Sequence, residues 1–347
     1  MNILLTFDNG YAPHAAVVIE SIILNSFQKH SFYILYNELT EDNQQILYKH
    51  YKEKVNKLCF IKVEDQEFLG ADKLSTLQHI INQKSALLRL LVEKVPCNDW
   101  ILYLDCDVIV QDDVSKLEMY YDSTKILGAV TEYNAAYKLR DLSKLTKYEY
   151  PTFVEPLQYE AYWYRTLQNL GMNIGGKYFC SGVMLINLKL WRENEIGEKI
   201  LSFIRDNSTV CFAVDQDALN YQFNGDYIEL PPRWGNNVVL DAVFTNYSSA
   251  DLEEAVCNPA IIHIAGSIKP WMYRCSSKYK KLYYKYRKNT PWPKLIYPDK
   301  NMTNIIRGYA DIFRKLFTKV VSEKMKHTVL FFIRYEKKYY FSSIRIK

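Results

Sequence analysis

Asp105 and Asp107 stand two residues apart inside the run Leu102 to Val108. In extended backbone, residues i and i+2 point the same way, so both carboxylates can face one point. Two like charges there repel and lose hydration, and a divalent cation held between them removes both costs. His263 follows a short apolar run, Ala260 to Ile262, and precedes Gly266, Lys269, Pro270 and Trp271. An imidazole joined to two carboxylates suits a manganese-like cation better than calcium or magnesium, which prefer all-oxygen sets. Gly266 allows close approach of the backbone to a bulky ligand, and Lys269 is a point charge suited to a phosphate. A metal and a lysine beside a glycine turn describe a diphosphate site. The Asp-x-Asp spacing recurs at Asp215 and Asp217, so the flanks carry the weight. Trp100 to Leu104 and Val108 to Val110 are continuously apolar, as in a central strand covered on both faces, whose tip is where open α/β sheets bind ligands.

These residues need a scaffold. Ile3 to Phe7 reads as a strand and Asp8 to Gly10 as a turn. Pro13 suits the first turn of a helix that runs to about Ser26. A strand Phe32–Tyr36, a helix opened by Leu39 to Asp42 and reaching about Tyr51, and a strand Leu58–Ile61 follow. A helix from Ser85 to Val95 ends before Pro96 and leads into the acidic strand. Further on, Gly182 to Asn187 is a strand followed by a helix from about Leu190, Asp215 opens a short helix to Gln222, and Ala260 to His263 is a short strand. This alternation predicts an α/β fold with a mainly parallel central sheet flanked by helices in three layers. Residues 132–178, rich in tyrosine and poor in periodicity, read as an irregular insertion or lid near the site.

The 347 residues suffice for one large or two ordinary domains. Hydrophobic residues at 48% and charged residues at 24% are ordinary for a globular protein. No apolar run approaches bilayer length, and the N-terminus lacks the basic region and cleavage site of a signal peptide. Seven cysteines without a CxxC pair argue against a zinc site or a disulfide framework and for reduced thiols in a cytoplasm.

The net charge of +5 conceals a division. Residues 272–347 hold 20 Lys and Arg against 4 Asp and Glu, whereas residues 1–271 hold 24 against 35. In the tail, Ile305, Tyr309, Ile312, Phe313, Leu316, Phe317 and Val320 share one helical face, with Arg307, Arg314, Lys315 and Lys319 elsewhere around it. That is a basic amphipathic helix, which either packs on the body or lies on a membrane. The surrounding charge favours an anionic membrane surface. Nucleic acid would also attract such charge, but no nucleic-acid module lies upstream and none is expected as a partner. The expected location is cytoplasmic and peripheral on the inner face of the cytoplasmic membrane.

Leu104-Asp105-Cys106-Asp107, Asn187 between Ile186 and Leu188, Asp215-Gln216-Asp217, and the set His263, Gly266, Lys269, Pro270 and Trp271 occur in one order along the chain. Together they resemble the family-8 retaining glycosyltransferases, which include bacterial lipopolysaccharide galactosyl- and glucosyltransferases, glycogenin and galactinol synthase. The resemblance covers about residues 1–275. It implies a catalytic domain of GT-A fold there, with 276–347 as a basic aromatic C-terminal extension. It also implies a UDP-sugar donor carrying galactose or glucose, a glycan or glycolipid acceptor, and Mn2+, with Mg2+ as an alternative. By the same resemblance Asp105, Asp107 and His263 hold the metal, and Lys269 with Gly266 contacts the diphosphate. Thr6, Asp8 and Tyr11 surround the uracil, Arg89 meets donor sugar and phosphate, Glu132 contacts the sugar, and Asp215 and Gln216 lie beneath it.

Two positions depart from the family pattern. Cys180, in Phe179-Cys180-Ser181-Gly182, stands where an asparagine amide usually hydrogen-bonds the sugar, and a thiol is a poor substitute. Glu132 replaces a more usual aspartate. Both bear on which sugar is used. The implied chemistry is front-face transfer with retention. In it Asp215 orients the sugar, the Gln216 carbonyl dipole supports the developing cation, and the departing phosphate oxygen takes the acceptor proton.

Each residue also has an ordinary structural reading: Asp8 as a helix cap, Arg89 as a surface helix residue, Gln216 as a first-turn polar residue, Asn187 as a strand-end turn residue. Other functions open to the sequence are glucosyl transfer to a protein or polyol, a UDP-sugar binder or hydrolase that does not transfer, and a membrane-adhering protein that uses only its tail.

Overall fold

Asn2–Thr6 (β1), Ser31–Tyr36 (β2), Lys57–Lys62 (β3) and Trp100–Leu104 (β4) lie side by side as parallel strands in the order β3-β2-β1-β4. The computed structural model describes residues 1–64, 67, 87–134, 170–172, 177–207, 213–237, 247–266, 268–275, 277, 279–294 and 297–306. Contacts divide the chain into two units, Met1–Pro270 with Lys278–Lys294, and Trp271–Ser277 with Leu295–Lys347. Residues 278–294, at the start of the expected extension, thus belong to the first unit. In the second, Asp299 accepts from the Tyr273 amide at 2.6 Å.

The main sheet continues past β4 through Lys177–Asn187 (β7), Leu127–Asn134 (β6) and Ile228–Glu229 (β8). β7 runs antiparallel to both β4 and β6, while β8 is parallel to β6. The sheet is therefore mainly parallel, with one reversed strand inserted beside β4. β7 is longer than the sequence suggests and carries Cys180, Ser181 and Gly182 within it.

The apolar run around Asp105 differs from the single strand expected. β4 ends at Leu104, and Val108–Val110 (β5) pairs antiparallel with Ile261–His263 (β10), which also pairs with Asn236–Asn237 (β9). The acidic turn therefore bridges two sheets. Its backbone is held on both sides: the Asp105 amide donates to Gly182 O at 2.9 Å, and the Ile264 amide to Asp107 O at 3.0 Å.

Alternate residues of the central strands enter opposite cores, which makes three layers. Ile3, Leu5, Leu102 and Leu104 face helices Ala12–Asn25 (α1) and Glu41–Tyr51 (α2), whereas Leu4, Ile101 and Tyr103 face the other side. There they meet Ile196–Asp206 (α4) and Val214–Phe223 (α5), with Leu188–Glu193 (α3) alongside. Thr40 caps α2 by accepting from the Asn43 amide at 3.4 Å. The helix expected over Ser85–Val95 is a 3-10 helix, Leu88–Lys94, kinked at Leu91. Its residues 88 to 92 are all buried, a pattern without a polar face, and Pro96 holds Val95 extended. Ser249–Cys257 (α6) opens with a capping box on Ser248, and Lys280–Arg287 (α7) lies in the first unit.

Most of the expected 132–178 lid and the tail helix beyond Ile306 lie outside the described residues. Among the described residues no helix is long and apolar enough to cross a membrane.

Candidate active site

The turn after β4 and the end of β10 bring Asp105, Asp107 and His263 together. One ligand atom from each lies within 4.8 Å of the others. His263 Nε2 is 3.3 Å from Asp107 Oδ1 and 3.8 Å from Asp105 Oδ2. Asp107 Oδ1 is buried and has no hydrogen-bond partner. A buried carboxylate oxygen left in this way is costly unless a cation takes it. Two carboxylates and an imidazole fit a divalent cation such as manganese. Lys269 closes the cluster: its ammonium pairs with Asp107 Oδ2 and donates to Ile264 O at 3.0 Å. Gly266, at φ 84°, makes the turn between them in the left-handed region that favours glycine.

Charge explains the protonation here. Burial alone would raise the Asp107 pKa, but the charges of His263 and Lys269 outweigh it and hold it well below the usual carboxylate range. Burial would likewise lower His263, yet the neighbouring Cys180 and Asp107 raise it well above its ordinary value.

Arg89 is the hub of a second layer. Its guanidinium meets Asp105 Oδ1 at 2.9 Å, Asp215 Oδ2 at 3.2 Å, Ser181 O at 3.0 Å and Ser181 Oγ at 2.9 Å. It lies over the Tyr103 ring, 4.8 Å from its centroid. The Tyr103 hydroxyl donates to the same Asp105 oxygen at 2.6 Å and meets Thr6 Oγ1 at 3.2 Å. Arg89 is buried, so its surface-helix reading fails. A planar fork satisfies this set where an ammonium would not. Burial is the main influence on Asp215 and raises its pKa against the pull of Arg89.

Gln216 is oriented by its surroundings. The Ser181 amide must donate, so the Gln216 oxygen faces it, at 3.0 Å, and also accepts from Ser181 Oγ at 3.3 Å. The Gln216 NH2 group then reaches Glu132 Oε2 at 3.4 Å and Tyr178 Oη at 3.3 Å. The carbonyl that the sequence reading turns toward the sugar is thus engaged by Ser181.

Near β1, Asp8 accepts from the Tyr11 amide at 3.0 Å in the turn before α1, whose N-cap is Tyr11 without a side-chain cap bond, so Asp8 is not the helix cap. Burial raises the pKa of the Tyr11 phenol, with Asp107, Cys106, Asp8 and Asp105 adding to the effect, which places that side chain beside the acidic turn. Thr6 is buried and reaches the site through Tyr103. Asn187 is a helix cap, accepting from the Leu190 amide at 3.2 Å.

Cys180 turns its sulfur to His263 Nδ1, 3.3 Å away. Burial raises its thiol to about 11, with Glu132 adding to the rise and His263 opposing it.

Tyr103, Ser181, Tyr178, Asp217 and Asn220 complete this network and were given no role in the sequence reading, although Asp217 and Ser181 lie within its motifs. Tyr178 donates to Asp217 Oδ1 at 2.6 Å, and Asp217 Oδ2 accepts from the Ala213 amide at 2.8 Å. Asn220 clips β7 by accepting from the Phe179 amide at 2.8 Å and donating to its carbonyl at 2.9 Å. One signal was available: Asp217 and Asn220 are polar residues three apart on a helix whose neighbours Val214, Ala218 and Leu219 are apolar and buried.

The family model for glycosyl transferase family 8 matches residues 2–275. General stress protein A of Bacillus subtilis is 27% identical over 303 residues, 84% of this chain and 94% of that protein. Lipopolysaccharide 1,2-glucosyltransferase of Escherichia coli is 25% identical over 301 residues, 84% and 79% of the two chains. Among solved structures, an active-site mutant of LgtC superposes with a TM-score of 0.63 at 25% identity, covering 84% of this chain and 96% of that one. The chain has the GT-A fold and belongs to glycosyl transferase family 8.

Proposed function

We propose that this enzyme moves a hexose, galactose or glucose, from UDP to a hydroxyl of a glycan or glycolipid acceptor with retention at the anomeric carbon. The acceptor we assign is a growing bacterial surface polysaccharide or lipopolysaccharide. The observation that carries this reading is the convergence of Asp105, Asp107 and His263, with Lys269 beside them, where the strand tip meets the second sheet. The relationship to a lipopolysaccharide glucosyltransferase supports the acceptor class.

Asp105, Asp107 and His263 would hold Mn2+, or Mg2+ in its place. A metal bound there neutralises negative charge developing on the UDP leaving group. Lys269, already at the cluster, adds its charge to the same oxygens, and Gly266 lets the backbone come close. Asp8, Thr6 and Tyr11 form the nucleoside end beside β1.

Arg89 compensates Asp215 at 3.2 Å, which makes that carboxylate a weak nucleophile and suits it to orient the sugar hydroxyls. Gln216 is a poor nucleophile by chemistry. Front-face attack follows, with the departing phosphate oxygen taking the acceptor proton. Ser181 Oγ, at 3.3 Å from Gln216 and 3.5 Å from Asp215, can rotate toward Asp215 and release one lone pair of the Gln216 oxygen, which the Ser181 amide still holds, for an oxocarbenium-like sugar. Glu132, donating no proton but accepting from Gln216, would meet the sugar hydroxyls from the far side.

We assign residues 1–275 to catalysis and the basic remainder to an anionic membrane surface at the inner face of the cytoplasmic membrane. The test is a donor panel of UDP-Gal, UDP-Glc, UDP-GlcNAc and UDP-xylose, scored for Mn2+-dependent UDP release with and without glycan acceptors. Turnover of one hexose donor that rises with acceptor supports the reading; no metal-dependent turnover of any donor sinks it. A trapped sugar on Asp215 would replace front-face attack with double displacement.

A further inference from the structure

We infer that Cys180 is a positioning residue for the metal ligand His263. Its sulfur accepts the Nδ1–H bond that fixes the ring with Nε2 directed at Asp105 and Asp107. This rests on the metal assignment proposed above.

The imidazole has two nitrogens, and both are spoken for. Nε2 faces Asp107 Oδ1 at 3.3 Å and Asp105 Oδ2 at 3.8 Å, while Nδ1 faces Cys180 Sγ at 3.3 Å. Cys180 and Gly182 are i and i+2 on β7, so both present to the same side of the strand. That side carries the ring: a β-carbon at 182 would stand 2.4 Å from His263 Cε1 and 2.9 Å from Nδ1. β7 therefore offers the imidazole a bare backbone to lie on and, two residues earlier, a sulfur to bond. His263 and Cys180 are each 5% exposed, so water does not compete for Nδ1. A histidine that ligates through Nε2 must carry its proton on Nδ1, and loss of the partner of that second nitrogen commonly weakens metal binding 10- to 100-fold. The thiol that stands in for asparagine is thus used on the metal side of the site.

The full-length chain tests this through Mn2+ affinity, read by electron paramagnetic resonance, in Cys180→Val and Cys180→Ser. Valine is somewhat larger and cannot accept a hydrogen bond; serine is smaller but can. We expect Cys180→Val to bind Mn2+ about 10- to 100-fold more weakly and Cys180→Ser to recover most of that loss. Wild-type affinity in Cys180→Val, or an equal loss in both variants, overturns the inference. If Cys180→Val fails to fold, histidine-ring 15N NMR of the wild-type chain decides. A slowly exchanging proton on His263 Nδ1 supports the bond, and a ring protonated only on Nε2 overturns it. His263→Ala separates the two claims. If it binds Mn2+ like wild type, the metal assignment falls and this inference with it. If it loses Mn2+ while Cys180→Val does not, this inference alone falls.

Discussion

Gly182 lies against the imidazole of His263 so closely that a β-carbon on it would approach Cε1 to 2.4 Å and Asp105 Oδ2 to 2.9 Å. The central antiparallel strand thus sets the position of one candidate metal ligand and limits another. Gly182→Ala must displace the ring or the carboxylate. We expect a cost of about 1–3 kcal/mol in urea unfolding and a larger proportional loss of Mn2+ affinity. A variant that binds Mn2+ normally would show that the ring position is unimportant.

A metal bound only by the folded chain stabilises it. At a Mn2+ concentration 100-fold above its dissociation constant the gain is about 2.7 kcal/mol, read as a rise in melting temperature that EDTA reverses. His263→Ala and Asp105→Ala should melt at the same temperature with and without Mn2+.

Arg89 neutralises the buried Asp215 and the partly buried Asp105 at once. Arg89→Met leaves both without their partner, and we expect a loss of about 3–5 kcal/mol of stability. Arg89→Lys should recover only part of it, because an ammonium cannot span Asp105, Asp215 and both oxygens of Ser181. Equal stability of the lysine variant and the wild type would contradict the hub role.

Asn220→Ala removes both bonds to the Phe179 backbone in a buried setting. The orphaned amide and carbonyl should cost about 2–4 kcal/mol, and hydrogen exchange at the Phe179 amide should accelerate while β1 stays protected.

The pH dependence of stability should carry a signature from His14. Burial lowers its pKa from 6.5 to about 3, with Arg287 adding to the effect, and its Nδ1 lies 2.6 Å from Tyr283 Oη, joining α1 to α7. The folded pKa lies below the unfolded one, so this contribution is complete above pH 6.5 and is lost as the pH falls toward 3. The slope approaches about 1.4 kcal/mol per pH unit in that window. His14→Gln, which can still bond Tyr283, should flatten it; an unchanged slope would assign the pH effect to other groups.

Much of this architecture was legible in the chain. β1, α1, β2, α2 and β3 fall close to the segments read from the sequence, because they are compact apolar or amphipathic runs and the two helices start at recognisable signals, Pro13 and Thr40. The acidic turn was less so: its flanks are equally apolar, and nothing local says that Val108–Val110 leaves β4 for a second sheet. The 3-10 geometry at Leu88–Lys94 was hidden for a related reason, since a run buried on every side has no period to read.

Residue types and order along the chain were enough to pick out a cation-binding chemistry and the family that uses it, because carboxylate, imidazole and ammonium groups have few reasons to recur in that sequence of motifs. Tertiary structure alone decided who holds whom. Ser181 engages the Gln216 oxygen, Arg89 spans residues 105 and 215, and Cys180 faces the imidazole rather than standing only where a sugar amide would. Those pairings join positions tens to more than a hundred residues apart, and they arise from strand register and burial, which no local spacing encodes.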